Sequence, residues 1–181
     1  TTNITTWEQA LTALEAAQKY GRSSIIEKFI TGFDFRVLVI NYKFICAALR
    51  TPASVTGDGK SSIQQLIDET NKDPRRGYGH EKVLTQITID SFTQKMLDEK
   101  NYQLTSVPPK GELVLLKPTA NLSTGGTSTD VTDEVHPANI FMCENKEKII
   151  GLDICGIDIM ASDLRTPVTE NGGAILEVNA A

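Results

Sequence analysis

The chain has 181 residues, 40% hydrophobic and 23% charged, with a net charge of -5. That size and balance fit one globular domain, residues 1–181, with a core of its own, and argue against a nucleic-acid surface built on phosphate contacts. No apolar run has bilayer length, and residues 1–6 are polar without a basic region, so neither a membrane segment nor a signal peptide is expected and the expected location is cytoplasmic.

Cys46, Cys143 and Cys155 are far apart in apolar or mixed segments and read as buried reduced thiols. His80 and His136 lie in loop-like segments without the spacing of a metal pair, which excludes a zinc centre.

In chain order, Thr5 and Glu8 have capping-box spacing, and Trp7, Leu11, Leu14 and Ala17 recur at helical intervals until Gly21. This predicts a helix with one buried stripe. Residues 25–30, 34–40 and 44–50 then predict three strands joined by short turns, an antiparallel meander. Alternation puts Asp34, Arg36 and Leu38 on one face and Phe35, Val37 and Val39 on the other.

Residues 56–60 form a glycine-rich turn before a helix starting at Ser61 with Gln64, its apolar stripe being Ile63, Leu66 and Ile67. Residues 71–80, with Arg75 and Arg76 adjacent, have loop composition and read as an anion-reading loop or a solvated insertion. Ser91 with Gln94 predicts a short helix with Phe92 and Met96 inward, and a strand follows over 112–116.

Residues 117–127 combine Lys117, hydroxyls, Gly125 and Gly126 after a strand, the ingredients of a backbone-amide nest for an anion, without Walker spacing. Pro137 opens a helix to about Gly151, with Ala138, Phe141, Met142 and Ile149 behind it. Strands and helices mix without a βαβ rhythm, so the expected class is α+β.

The last two strands carry the densest chemistry. Asp158 sits between Ile157 and Ile159, while Glu177 and Asn179 share one face and Leu176 and Val178 take the other. If these strands pair, three oxygen-bearing side chains converge, and two facing carboxylates repel unless a cation joins them. Magnesium suits such a set, since it binds one or two carboxylates together with nucleotide phosphate oxygens. An exposed sheet face with ordinary acids is the bland alternative.

Several stretches in this order resemble the ATP-grasp ligase family from end to end: Glu27-Lys28-Phe29-Ile30-Thr31-Gly32-Phe33-Asp34-Phe35-Arg36, the turn 55–60, Asp73-Pro74-Arg75-Arg76-Gly77, the loop 119–127, segment 131–137 and the stretch 172–181. The resemblance implies a mainly antiparallel sheet flanked by helices that holds ATP, without the N-terminal glycine-rich lid portion. It implies that Glu27 meets the adenine edge with the main chain of Lys28 and Ile30, that Asp34 meets the ribose, and that Asp158, Glu177 and Asn179 bind Mg2+.

Arg36, on the face of Asp34, is expected to reach the transferred phosphate. Some members of the family carry an arginine two residues before the metal aspartate, where this chain has Gly156, so charge stabilisation is expected from Arg36 or Lys117. The activity implied is ligation through an acyl-phosphate, adding aspartate to a growing aspartate polymer, with arginine joined by a separate domain and a homo-oligomer open to the parent protein. The fragment alone is expected to be inactive. The alternatives are the ATP-grasp half of a bifunctional glutathione-forming ligase and a nucleotide-binding module without turnover.

Overall fold

Alternation over residues 33–40 sets the architecture. In the computed structural model, which describes residues 4–79 and 81–180, strand β1 (Phe33–Ile40) buries Phe35, Val37 and Val39 and turns Asp34 and Arg36 to the opposite face. His80, read above as a loop residue, lies outside the described residues. A two-residue turn, Asn41 and Tyr42, both at positive φ, returns the chain into β2 (Lys43–Thr51), as hairpin twist requires.

With β7 (Thr127–Asp130), β8 (Ile154–Ala161) and β9 (Ala174–Ala180), these strands make a five-stranded antiparallel sheet in the order β7-β2-β1-β8-β9. Helix α4 (Pro137–Ile150) covers the apolar face, where Val37, Val39, Cys155, Ile157 and Ile159 pack with Cys143. Each such side chain stabilises by roughly 1.5–3 kcal/mol when fully buried. Burial also pushes the Cys143 thiol up to about 12, leaving it an inert thiol at neutral pH.

A second apolar cluster joins the hairpin of β3 (Ser54–Thr56) and β6 (Leu113–Leu115) to α2 (Ile63–Asn71) and α3 (Ser91–Asp98) through Val55, Ile63, Ile67, Leu97 and Val114. Two short parallel strands, β4 (Arg76–Gly77) and β5 (Leu84–Thr85), lie between α2 and α3 in the chain.

Several expectations shift. The strand over 25–30 does not form: Ile25 and Ile26 are 85% and 92% exposed, and both edges of β1 are already taken by β2 and β8. Helix α1 (Trp7–Gln18) is present but is capped by Thr6 with Gln9 and buries none of its residues; Trp7 is 77% exposed. Helix α2 begins one residue later than expected, with Ser62 and Gln65 forming the capping box, and keeps its Ile63 and Ile67 stripe.

In α3 the cap is Asp90, which accepts from the backbone N–H groups of Phe92 and Thr93, so Thr93 and Leu97 face inward while Phe92 is exposed. In α4 the buried amide of Asn139 donates to the carbonyls of Leu164 and Thr166 and accepts from Val168 N–H. That anchoring turns Asn139 and Cys143 inward and leaves Ala138, Phe141 and Ile149 outside. Arg76 is neither an anion reader nor solvated: it is 6% exposed and bonded to main-chain carbonyls.

Candidate active site

The polar face of the sheet gathers its charge by register. Asp34 lies opposite Arg50 on β2, Arg36 opposite Asp158 on β8, and Asp158 opposite Glu177 on β9. Arg36, Asp158 and Glu177 therefore form a row across three adjacent strands. Between Asp158 and Ile159 the ladder slips, so that Ile159 faces Ile175 and Leu176 becomes the extra residue of a bulge. The slip puts Ile175 and Val178 against the core and leaves Leu176 55% exposed, instead of the expected inward pair of Leu176 and Val178.

Arg36 Nη1 donates to Asp158 Oδ1 at 2.7 Å, and Arg50 Nη2 lies 3.2 Å from the same oxygen. Arg50 also holds Asp34, with Nε donating to Oδ1 at 2.8 Å and Nη2 at 2.6 Å from it. These four side chains are only 15% to 34% exposed, so their pairing is less screened than on an open surface. Burial raises the Asp34 carboxyl above its ordinary range, against the pull of the Arg50 guanidinium. With the Asn179 amide oriented to satisfy both of its ends, its oxygen accepts from Arg36 Nη1 at 3.1 Å and its nitrogen donates to Glu177 Oε1 at 3.0 Å.

Gly156 explains how Arg36 reaches this position. It lies opposite Leu38 on β1 and Asn179 on β9, and a Cβ there would collide with the Arg36 guanidinium. The guanidinium thus fills the space left by the missing side chain.

Above this face lies a cleft of about 510 Å³ lined by Arg36, Arg50, Lys82, Thr85, Asn121 and Ser123, among others. Its far wall is the loop read as a nest. That loop contains a 3-10 turn over Leu122–Thr124, closed by Gly125 at φ +95, where a Cβ would meet Ile87. Gly126 N–H donates to the Asn121 carbonyl. Asn121, Leu122 and Ser123 thus stand across from two arginines, but the N–H groups of Thr124, Gly125 and Gly126 are bonded within the loop, so the expected backbone-amide nest is not formed.

The structure brings Asp34, Arg36, Asp158, Glu177 and Asn179 to one face. It does not bring the others there. Glu27 and Lys28 are exposed and Ile30 half-buried in a segment without strand structure. Lys117 is buried elsewhere: its ammonium sits 2.7 Å from Asp90 Oδ2 and donates to Thr93 Oγ1 at 3.1 Å, and it does not line the cleft. Arg50 was missed, although its place at the end of the second strand of a tight hairpin, opposite Asp34, was a readable signal.

As a donor set, Asp158, Glu177 and Asn179 offer oxygens only, and two of them face each other across a strand pair. That suits a hard cation completed by nucleotide phosphate oxygens. Among the described residues no group of three or more histidine, cysteine or acidic side chains forms a metal cage of its own. No helix among them is long and apolar enough to cross a membrane.

No family model matches the chain. Over its whole length it is 51% identical to a cyanophycin synthetase from Trichormus variabilis, of which it spans 20%. It is 35% identical over 167 residues, 92% of this chain and 22% of the relative, to a glutathione biosynthesis bifunctional protein from Clostridium perfringens. The solved structure of a bifunctional glutathione synthetase from Pasteurella multocida superposes with a TM-score of 0.75 at 31% identity, covering 97% of this chain and 24% of that one. The chain thus spans about a fifth of the length of the curated cyanophycin synthetases it matches. Its fold is the α+β fold of an ATP-grasp segment, as the sequence resemblance implied.

Proposed function

We propose that this chain is the nucleotide-facing and metal-facing part of an ATP-grasp ligase that lengthens the aspartate backbone of cyanophycin. The observation that carries the reading is the row Arg36, Asp158 and Glu177 across three strands, beneath a cleft with Arg36 and Arg50 on its floor. Phosphoryl transfer to a carboxylate needs alignment and neutralisation of charge spread over oxygens more than it needs proton transfer. A face of acids and arginines, with no histidine among the described residues that line the cleft, matches that demand.

Asp158, Glu177 and Asn179 would hold Mg2+, which when bound would neutralise the phosphates of ATP. Asp34 would meet the ribose, and Glu27 with the main chain of Lys28 and Ile30 the adenine. Arg36 aligns the γ-phosphate with the polymer's terminal carboxylate and holds negative charge as the acyl-phosphate forms. The amine of an incoming aspartate then attacks the acyl carbon and inorganic phosphate leaves. Arginine would be joined by another domain of the longer protein. The greater identity to cyanophycin synthetases than to glutathione-forming proteins favours the aspartate polymer over a glutathione precursor.

The test is ADP release by the full-length protein that carries this chain, with ATP, Mg2+ and a cyanophycin primer. Release that requires both primer and aspartate supports the reading. Release that requires glutathione precursors instead, or magnesium-ATP binding without turnover under any of these conditions, would overturn it.

A further inference from the structure

The adjacent arginines at 75 and 76 have opposite fates. Arg75 is solvent-facing and paired with Asp73, Nη2 to Oδ2 at 2.7 Å. Arg76 is 6% exposed, and among the described residues it makes no ion pair; its Nη1 donates to the Thr85 carbonyl at 2.6 Å and to the Gly125 carbonyl at 3.0 Å.

A buried cation whose counter-charge, here Asp73, acts on it without a contacting ion pair is costly, and an apolar side chain of similar volume is often at least as stable in such a place. What the guanidinium does that an apolar side chain cannot is hold two carbonyls from separate segments at a fixed spacing. Those two carbonyls belong to the two walls of the cleft. Thr85 lines one wall with Lys82 and Val83, and Gly125 closes the turn whose Leu122 and Ser123 line the other.

The neighbouring residues lock the same joint. Asn71 accepts from Ile87 N–H at 2.8 Å and donates to Ile87 C=O at 2.9 Å. Ile87 in turn is packed so closely on Gly125 that a Cβ at Gly125 would lie 2.8 Å from it.

We propose that Arg76 is a positioning residue: by tying Thr85 to Gly125 it sets the gap between the 82–85 wall and the 120–123 turn, and so the fit of a carboxylate-bearing substrate above Arg36 and Arg50. This rests on the ligase reading given above. Arg76 itself touches no reacting atom in this account.

The experiment compares Arg76→Met, Arg76→Lys and, as a control that weakens the apolar cluster containing Ile67 and Ile87 without removing a hydrogen bond of the joint, Ile67→Val. Ligation kinetics are read in the full-length protein with cyanophycin primer and aspartate. Amide hydrogen exchange over residues 121–127 is read in the 181-residue chain. The expected result is a primer KM raised about tenfold or more in Arg76→Met with the ATP KM within about twofold, partial recovery in Arg76→Lys, and both constants unchanged in Ile67→Val.

Exchange over 121–127 should quicken about tenfold in Arg76→Met while β1 and β8 keep their protection. Equal rises in both KM values, or an effect matched by Ile67→Val, would overturn the proposal, as would unchanged protection over 121–127. If Arg76→Met does not fold, Arg76→Lys carries the same two readouts. If the wild-type protein shows no primer-dependent turnover, the ligase reading fails, and exchange alone decides whether Arg76 holds the joint.

Discussion

Arg36 Nη1 lies 2.7 Å from Asp158 Oδ1, directly across the ladder between β1 and β8, and the guanidinium rests on the bare backbone of Gly156. One side chain from β1 thereby fills, with a positive charge, the space that a side chain at position 156 on β8 would take.

Gly156→Ala tests that relationship. The methyl group would strike the flexible end of Arg36, not backbone, so the fold should lose about 1–3 kcal/mol while Arg36 leaves Asp158. Turnover in the full-length protein should fall about tenfold or more, since misplacement of an aligned group by about 1 Å costs up to a hundredfold. Near-normal turnover with an unchanged melting temperature would show that the placement of Arg36 is immaterial.

Arg36→Ala should lower kcat more than it raises the ATP KM. The contact proposed for Arg36 strengthens as charge develops on the transferring phosphate, so its loss is felt mainly in the transition state. Steady-state kinetics with ATP as the varied substrate separate the two constants, and a pure KM effect would reduce Arg36 to ordinary substrate binding.

Asp90 and Lys117 give a pH-dependent prediction about stability. Hydrogen bonding to the Lys117 ammonium, followed by that to Thr93 N–H, holds the Asp90 carboxyl below its ordinary range. A depressed carboxylate contributes stability that is present above its unfolded value, 3.8, and lost as pH falls through the lower folded one. Asp90→Asn should therefore destabilise the chain at neutral pH, by about 2 kcal/mol, because Lys117 is 3% exposed and would keep a buried ammonium without its carboxylate. The gap between wild type and variant should narrow below pH 3.8 in chemical denaturation. A gap that stays constant to lower pH would place the stability elsewhere.

Legibility followed how local each signal was. The period-2 alternation of 34–40 and the direction of the hairpin after it were readable, because one buried face fixes which residues turn inward and a tight turn fixes direction, whereas the pairing of the last two strands, joined by a long loop, stayed conditional. The row of Arg36, Asp158 and Glu177 was half readable: its faces followed from alternation, but alignment across strands depends on pairings between segments 122 residues apart.

Long-range competition decided what the sequence could not. Residues 25–30 have strand composition, yet the sheet edges they would need are occupied. The bulge turned Leu176 outward while Val178 kept its expected inward place, which no periodicity in a single strand reveals. Lys117 looked like a free cation beside a glycine loop, but its side chain turns to Asp90 at the start of α3. The inward face of α3 was missed by one residue because Asp90, a polar cap, outweighed the apolar stripe.

Glu177→Gln in the full-length protein tests the central claim most directly, since it keeps side-chain shape while deleting one of the two facing carboxylates proposed to hold the cation. The measurement is ADP release as a function of Mg2+ concentration, alongside the melting temperature of the 181-residue chain. The account predicts a folded variant whose turnover falls by roughly a hundredfold or more, with the Mg2+ required for half-maximal rate shifted upward. Turnover close to wild type with the same Mg2+ dependence would contradict it and place the cation away from Asp158, Glu177 and Asn179.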